Sequence, residues 1–320
     1  MKVGVLQFFG WADRRIPLAT IYDRAIERFE IMDGAGYDAV WLAEHHFSSF
    51  SVCPSVHMMA VVAATRTKRM RIGTAVSLAP FYHPLRLAEE VALLDVLSGG
   101  RVNWGAGRGF SRTEFSAFGV PMEESASRFR ETVEIVLKAW TQDRLTHHGE
   151  YYHFDGVEVL PKPLQGPHPP TWVAATSETA IDWAASRGFS ILMDPHCTLA
   201  ELGAKRRHYG ERLAAAGHAD GGRDIPMARL IAVADTTERA AEVARRGAAW
   251  TVGSYIGSGR GDTDPVERYV NEVIIHGTPD AVLDQILALQ ATASLNYLLC
   301  APLSQESFVL LTEDILPKLM

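Results

Sequence analysis

The chain has 320 residues, 47% hydrophobic and 22% charged, with a formal net charge of −7 and a sequence pI near 5.9. This is the composition of an ordinary globular protein, long enough to bury a core without disulfide or metal staples. The acidic balance argues against a nucleic-acid partner. No uninterrupted apolar stretch reaches membrane-spanning length, and the three scattered cysteines, Cys53, Cys197 and Cys300, predict reduced thiols in a cytoplasmic protein.

The N-terminal MKVGVLQFFGW reads as a strand rather than a signal peptide, with its apolar run over residues 3–9. Residues 20–35 carry Ile21, Ala25, Ile26, Phe29 and Met32 at a helical period, stopped by Gly34 and Gly36. Residues 37–42 form the next strand, 54–65 a helix with its proline in the first turn, 70–78 a strand and 84–97 a helix. The intervening basic cluster of Arg66, Lys68, Arg69 and Arg71 reads as a solvated turn. A strand at 102–105 and a long amphipathic helix at 125–140 follow, then a polar, aromatic interruption at 146–164 that reads as an inserted hairpin. Strands at 171–175, 189–193 and 227–234 alternate with helices at 178–186, 199–216 and 238–250. The glycine-rich stretch 253–277 is too long for a simple connection and predicts a lid, a binding loop or a disordered segment. A helix at 279–289, a strand at 295–300 and a closing helix at 308–319 complete the chain.

Eight strands alternating with helices require parallel pairing through helical crossovers. Eight repeats without an antiparallel tail fit a (β/α)8 TIM barrel better than a doubly wound sheet. Residues 1–320 are therefore expected to form one barrel domain with inserted segments near 146–164 and 253–277. Gly105-Ala106-Gly107-Arg108-Gly109-Phe110 begins like a dinucleotide fingerprint but ends in phenylalanine, against a Rossmann-type nicotinamide site.

In a barrel every strand end points at one mouth, where ligands bind. The first strand ends in Gln7, Phe8 and Phe9, an aromatic wall. The second ends in Glu44, His45 and His46, titratable groups that are costly to bury unpaired and so mark a site. The third runs Gly73-Thr74-Ala75-Val76-Ser77 and the fourth Gly105-Ala106-Gly107-Arg108-Gly109, small residues that let a flat ligand approach the backbone. The fifth ends in Thr176 and Ser177, hydroxyls at the start of a helix. Small residues beside aromatics suit a planar apolar ring, and Arg108 with Ser177 at a helix N-terminus suits an anion. A ring joined to a phosphate is a flavin mononucleotide-type ligand. Taken singly, Ser177 reads equally as a plain N-cap and Arg108 as a surface ion-pair partner. Metal binding is not expected: adjacent His45 and His46 on extended backbone point to opposite sides, and no H-x-x-x-H helix exists. Phe8, Phe9, Trp11, Phe47, Phe50, Phe81, Tyr82 and Trp104 are candidate pocket aromatics, about half of them expected in the core because aromatics dominate cores.

WLAEHHF at 41–47, IGTAVSLAPFYHP at 72–84, LLDVLSGGRVNWGAGRG at 93–109, WVAATSETAIDWAASRG at 172–188 and IHGTPDAVLDQI at 275–286 resemble the bacterial luciferase-like flavin monooxygenase family. The resemblance covers nearly the whole chain. It implies a TIM barrel that binds reduced FMN (FMNH2), or in some branches a deazaflavin, at its mouth. It places His45 on the catalytic histidine and Glu44 on the neighbouring acid that orients or tunes it. Ala75-Val76 falls where members often carry a non-proline cis peptide beneath the isoalloxazine, and Arg108, Ser177 and Arg128 fall on phosphate-contacting positions. Gly107 stands in place of the reactive cysteine of the light-emitting enzymes, Thr176 in place of a glutamate and Ala180 in place of a threonine, so light emission is not implied. The implied activity is oxygenation of an apolar organic substrate with O2 through a flavin C4a-peroxide, with FMNH2 supplied by a separate NAD(P)H:flavin reductase. Homodimers packed through the second and third helices are the expected assembly. A deazaflavin-dependent hydride-transfer enzyme and a non-catalytic flavin-binding subunit remain the alternatives.

Overall fold

The computed structural model describes residues 1–256 and 264–320. β1 (Lys2–Gln7) leads through α1 (Leu18–Ala35) to β2 (Ala39–Leu42), and α2 (Val56–Arg66) leads to β3 (Arg71–Thr74) and its short continuation β4 (Ser77–Leu78). α3 (Pro84–Ser98) precedes β5 (Val102–Gly107), after which α4 (Arg112–Phe118) and α5 (Ser125–Thr141) reach the antiparallel hairpin of β6 (Leu145–His148) and β7 (His153–Val157). The second half runs β8 (Thr171–Ala174), α6 (Glu178–Ser186), β9 (Ser190–Leu192), α7 (Leu199–Ala215), β10 (Pro226–Val233), α8 (Thr237–Thr251), α9 (Pro265–Arg268) and β11 (Ile275–Gly277). It closes with α10 (Pro279–Ala293), β12 (Tyr297–Pro302), α11 (Gln305–Leu310) and α12 (Leu316–Leu319).

The long strands pair in parallel in the order β10-β12-β1-β2-β3-β5-β8-β9, and a parallel bridge between Met193 and Met227 returns the β9 edge to β10. These eight strands are the expected barrel. β11 adds a further strand on β10, with Ile231 opposite Ile275.

Side-chain alternation sorts two cores. Val3, Val5, Val40 and Leu42 point outward into the helix layer, whereas Leu6, Trp41, Trp172 and Tyr297 fill the barrel. Trp41 packs edge-on against Trp172 at 5.2 Å, and its Nε1–H donates to the Tyr297 hydroxyl at 3.0 Å. Room for this indole comes from a glycine: a Cβ at Gly73 would sit 2.4 Å from the Trp41 ring.

The described parts of the 253–277 stretch are not a disordered segment. Residues 257–263 lie outside the described residues, but those flanking them are ordered into elements. Asp264 caps α9 by accepting from Val266 N–H at 2.9 Å, with Pro265 at the first helical position, where its missing N–H costs nothing. Tyr269, Val270, Val273 and Ile274 then bury against α8, and the chain enters β11. The glycine content hid these apolar anchors. Pro54 also precedes its helix instead of opening it, because Ser55 is the N-cap and accepts from Met58 N–H. The basic cluster folds back on acidic neighbours: Asp33 accepts from the backbone N–H groups of Lys68, Arg69 and Met70, and Arg66 pairs with Glu30.

Candidate active site

A pocket of about 230 Å³ opens at the carboxyl ends of the barrel strands. Glu44, His45, Ala75, Val76, Gly107, Arg108, Thr176 and Ser177 all line it, although they come from four separate strand ends. Arg128 does not. Its guanidinium pairs with Glu124 at 2.7 Å and lies over the Tyr151 ring at 4.1 Å. Two residues along α5 is Arg130, which does line the pocket.

β2 stops at Leu42, and the chain then turns so that His45 N–H donates to the Cys53 carbonyl at 3.2 Å. The His45 ring faces the pocket among Phe8, Phe50 and Tyr255. Glu44 is almost wholly buried and spoken for elsewhere. Its Oε1 lies 2.9 Å from His46 Nε2, and its Oε2 accepts from Tyr82 OH at 3.0 Å and Leu78 N–H at 3.2 Å. Burial, reinforced by this carboxylate, pushes the Tyr82 phenol well above its ordinary range. Glu44 is therefore a brace between β2 and β4, and the expected pairing of Glu44 with His45 is not the one found. The carboxylate beside His45 is Glu114 of α4, with Oε1 3.8 Å from Nδ1 and also accepting from His46 N–H at 3.0 Å. At 3.8 Å this is no hydrogen bond, but it places a buried carboxylate on the Nδ1 side of the ring.

The Ala75-Val76 peptide is cis, as the resemblance implied, and both residues form the pocket floor between β3 and β4. Gly107 on the adjoining strand explains itself sterically: a Cβ there would lie 2.1 Å from Val76 Cγ2 and 3.0 Å from its Cβ. Val173, Leu192 and Ala228 extend this flat apolar surface.

At the other end lie the cations and hydroxyls. Ser177 caps α6 with its hydroxyl accepting from Ala180 N–H at 3.4 Å, so the N-cap and pocket readings of Ser177 hold together. Thr176 and Thr179 flank it. Arg108 has no ion-pair or hydrogen-bond partner among the described residues, and Arg130 only an approach over the Trp183 ring at 5.6 Å. Two exposed guanidiniums beside a helix N-terminus make an anion cradle that could receive a phosphate. Ring floor and cradle share one pocket, so the residues present fit a flavin carrying a phosphate.

Asp194, His196, Phe110, Tyr255 and Glu114 escaped the sequence reading. Ser111-x-x-Glu114 is the signature of a capped helix start and could have revealed α4, where the Ser111 hydroxyl does accept from Glu114 N–H. The motif Asp194-Pro195-His196 after the sixth strand was equally available. Tyr255 is not singled out by name, but it lies in the 253–277 stretch that the sequence offers as a lid or binding loop. Of the proposed aromatics only Phe8 lines the pocket; Phe9 and Trp104 are buried in the outer core, and Phe81 packs with Phe115 and Phe118 beside His46. Among the described residues no cluster of three or more His, Cys, Asp or Glu side chains could hold a metal ion, and no helix is long and apolar enough to cross a membrane.

A parallel barrel with an apolar floor, a histidine and cations at its mouth has the form of a ligand-binding TIM barrel. Residues 1–294 match the luciferase-like monooxygenase family, and the chain belongs to it. The oxygenase component of a flavin-dependent trigonelline monooxygenase from Acinetobacter baylyi is 34% identical over 177 residues, 55% of this chain and 49% of that protein. The chain spans about half the length of the curated relatives it matches. Among solved structures, monooxygenase RslO1 from Streptomyces bottropensis matches with a TM-score of 0.90 at 27% identity over 100% of both chains. The oxygenating constituent of 3,6-diketocamphane monooxygenase from Pseudomonas putida, in complex with FMN, matches at 0.83 and 22% over 99% of each chain. A coenzyme F420 dependent tetrahydromethanopterin reductase from Methanopyrus kandleri matches at 0.78 and 18% over 100% of this chain and 99% of that one. The last two likenesses show the fold alone.

Proposed function

We propose that this chain is the oxygenase component of a two-component flavin monooxygenase, which binds reduced FMN at the barrel mouth and oxygenates an apolar organic substrate with O2. One observation carries the reading: the apolar floor at Ala75 and Val76 and the cations Arg108 and Arg130, without ion-pair partners among the described residues, lie in a single pocket. When bound, reduced FMN supplies the electrons that activate O2. The protein's part is to position and to shield. Ala75, Val76 and Val173 support the ring, while Arg108, Arg130 and Ser177 take the phosphate. Phe8, Phe110 and Tyr255 exclude water, which strengthens every electrostatic contact inside. His45 moves a proton through Nε2, since Nδ1 faces Glu114.

A separate NAD(P)H:flavin reductase is the proposed electron source, in line with the oxygenase-component name of the Acinetobacter relative. A homodimer is proposed through α2 and α3, where Met58, Leu93 and Leu97 stand 74%, 48% and 58% exposed. The three cysteines are free, which suits the proposed cytoplasmic location. The test is anaerobic titration with reduced FMN, followed by rapid mixing with oxygenated buffer. Tight binding, and a flavin absorbance transient distinct from the reduced and oxidised forms, are expected. Absence of binding would overturn the FMN reading in favour of a deazaflavin, and binding without any reaction with O2, even with substrate, would favour a non-catalytic flavin-binding subunit.

A further inference from the structure

A second imidazole, His196, also lines the pocket. His196 follows β9 in the turn Asp194-Pro195-His196, where its backbone N–H donates to Asp194 Oδ1 at 2.9 Å. Its ring lies 5.2 Å from that of Tyr255, which in turn lies 5.1 Å from His45. Neither ring nitrogen has a hydrogen-bond partner among the described residues. Nδ1 is fully enclosed, which leaves Nε2 to the pocket.

We propose that His196 is a second polar anchor of this pocket, an imidazole that donates from Nε2 to an oxygen of the bound organic substrate, so that the site selects an apolar body carrying one hydrogen-bond-accepting oxygen. The inference rests on the monooxygenase reading only in calling that ligand the substrate. A proton on Nδ1 would be a buried, unpaired N–H, which proteins avoid, so the proton belongs on Nε2. Burial, with His45 and Arg229 nearby, holds the ring well below the usual imidazole range, at about 4, against an opposing pull from Asp194. Tyr255 and Tyr269, the other titratable groups against the ring, are pushed up by burial and stay uncharged at neutral pH. The ring is thus a neutral donor at working pH, with the Tyr255 and Tyr269 rings beside it and Phe8 and Phe110 elsewhere in the same pocket lining. His45 and His196 then divide the work: one moves a proton and the other fixes an oxygen.

The test is calorimetric binding of acetophenone and ethylbenzene, which share a skeleton and differ in one acceptor oxygen, to the full chain with and without FMN. Wild type is expected to prefer acetophenone by roughly three- to tenfold, the worth of one net hydrogen bond. His196→Leu should erase the preference, and His196→Gln, which keeps an amide N–H within reach, should restore part of it. Titration with reduced FMN should be unchanged in both variants. A preference that survives in His196→Leu and His196→Gln alike, or that wild type lacks, overturns the proposal. Failure of wild type to bind FMN would instead sink the flavin reading and leave the two-probe comparison readable.

Discussion

Two glycines in neighbouring strands of this barrel make room for different things. Gly73, in β3, yields its Cβ space to the Trp41 indole, and the barrel at that level is solid protein. Gly107, at the end of β5, yields to Val76, whose side chain floors an open pocket. Each of these two glycines yields its Cβ space to a neighbouring side chain, and height along the barrel separates room used for packing from room beside the pocket.

Substitutions separate the two levels. The largest effect belongs to the mouth: His45→Ala should slow oxygenation by about 10²–10⁴-fold while leaving the unfolding midpoint unchanged. A normal turnover rate would remove His45 from the chemistry. Trp41→Ala should act the other way, costing about 3–5 kcal/mol in denaturant unfolding, because it empties the barrel centre and strips the Tyr297 hydroxyl of its indole donor. Gly73→Ala should cost about 1–3 kcal/mol by overpacking. Gly107→Ala should cost stability as well, because the new Cβ meets Val76 Cγ2 at 2.1 Å and its Cβ at 3.0 Å, and should in addition weaken reduced FMN. A Gly107 variant that loses stability as Gly73→Ala does, with normal flavin affinity, would erase the distinction. At the cradle, Arg108→Ala should weaken FMN by about tenfold and leave riboflavin, which lacks the phosphate, unchanged. Arg128→Ala should alter neither, because its guanidinium is already engaged by Glu124 and Tyr151.

The order of elements was legible because periodicity and alternation are local, and eight strand–helix repeats leave few topologies. The strand-end set of His45, Arg108 and Ser177 was legible for the same reason: a barrel brings strand ends together whatever lies between them. The partners of those residues were not. Glu44 precedes His45 in the chain yet bonds His46, Tyr82 and the Leu78 backbone, while Glu114 reaches the site from a seven-residue helix in a loop. Arg128 and Arg130 both sit on α5, and two positions of helical rotation separate a residue facing Tyr151 from one facing the pocket. Side-chain pairing across loops and one helical step of phase are tertiary facts, and motif spacing carries neither.

The smallest expected effect is a pH dependence that sets the mouth against the helix layer. His196, at the mouth, is held neutral by burial to about 4, below its unfolded value near 6.5. Below that unfolded value the unfolded chain gains a proton that the folded ring refuses, so stability from this group is complete above about 6.5 and is lost as pH falls towards 4. Glu90, in the helix layer, is held down at about 2 by its hydrogen bonds to His57 and Arg86. Its contribution is complete above the unfolded value near 4.5 and is lost between there and 2. Glu90 is partly exposed, so the lower window should be the shallower. Denaturant midpoints measured from pH 7 to 3 should thus fall in two windows. His196→Gln should flatten the upper one and Glu90→Gln the lower one, each leaving the other in place. An upper window that persists unchanged in His196→Gln would assign it to another group and remove the evidence that the pocket's second imidazole is neutral.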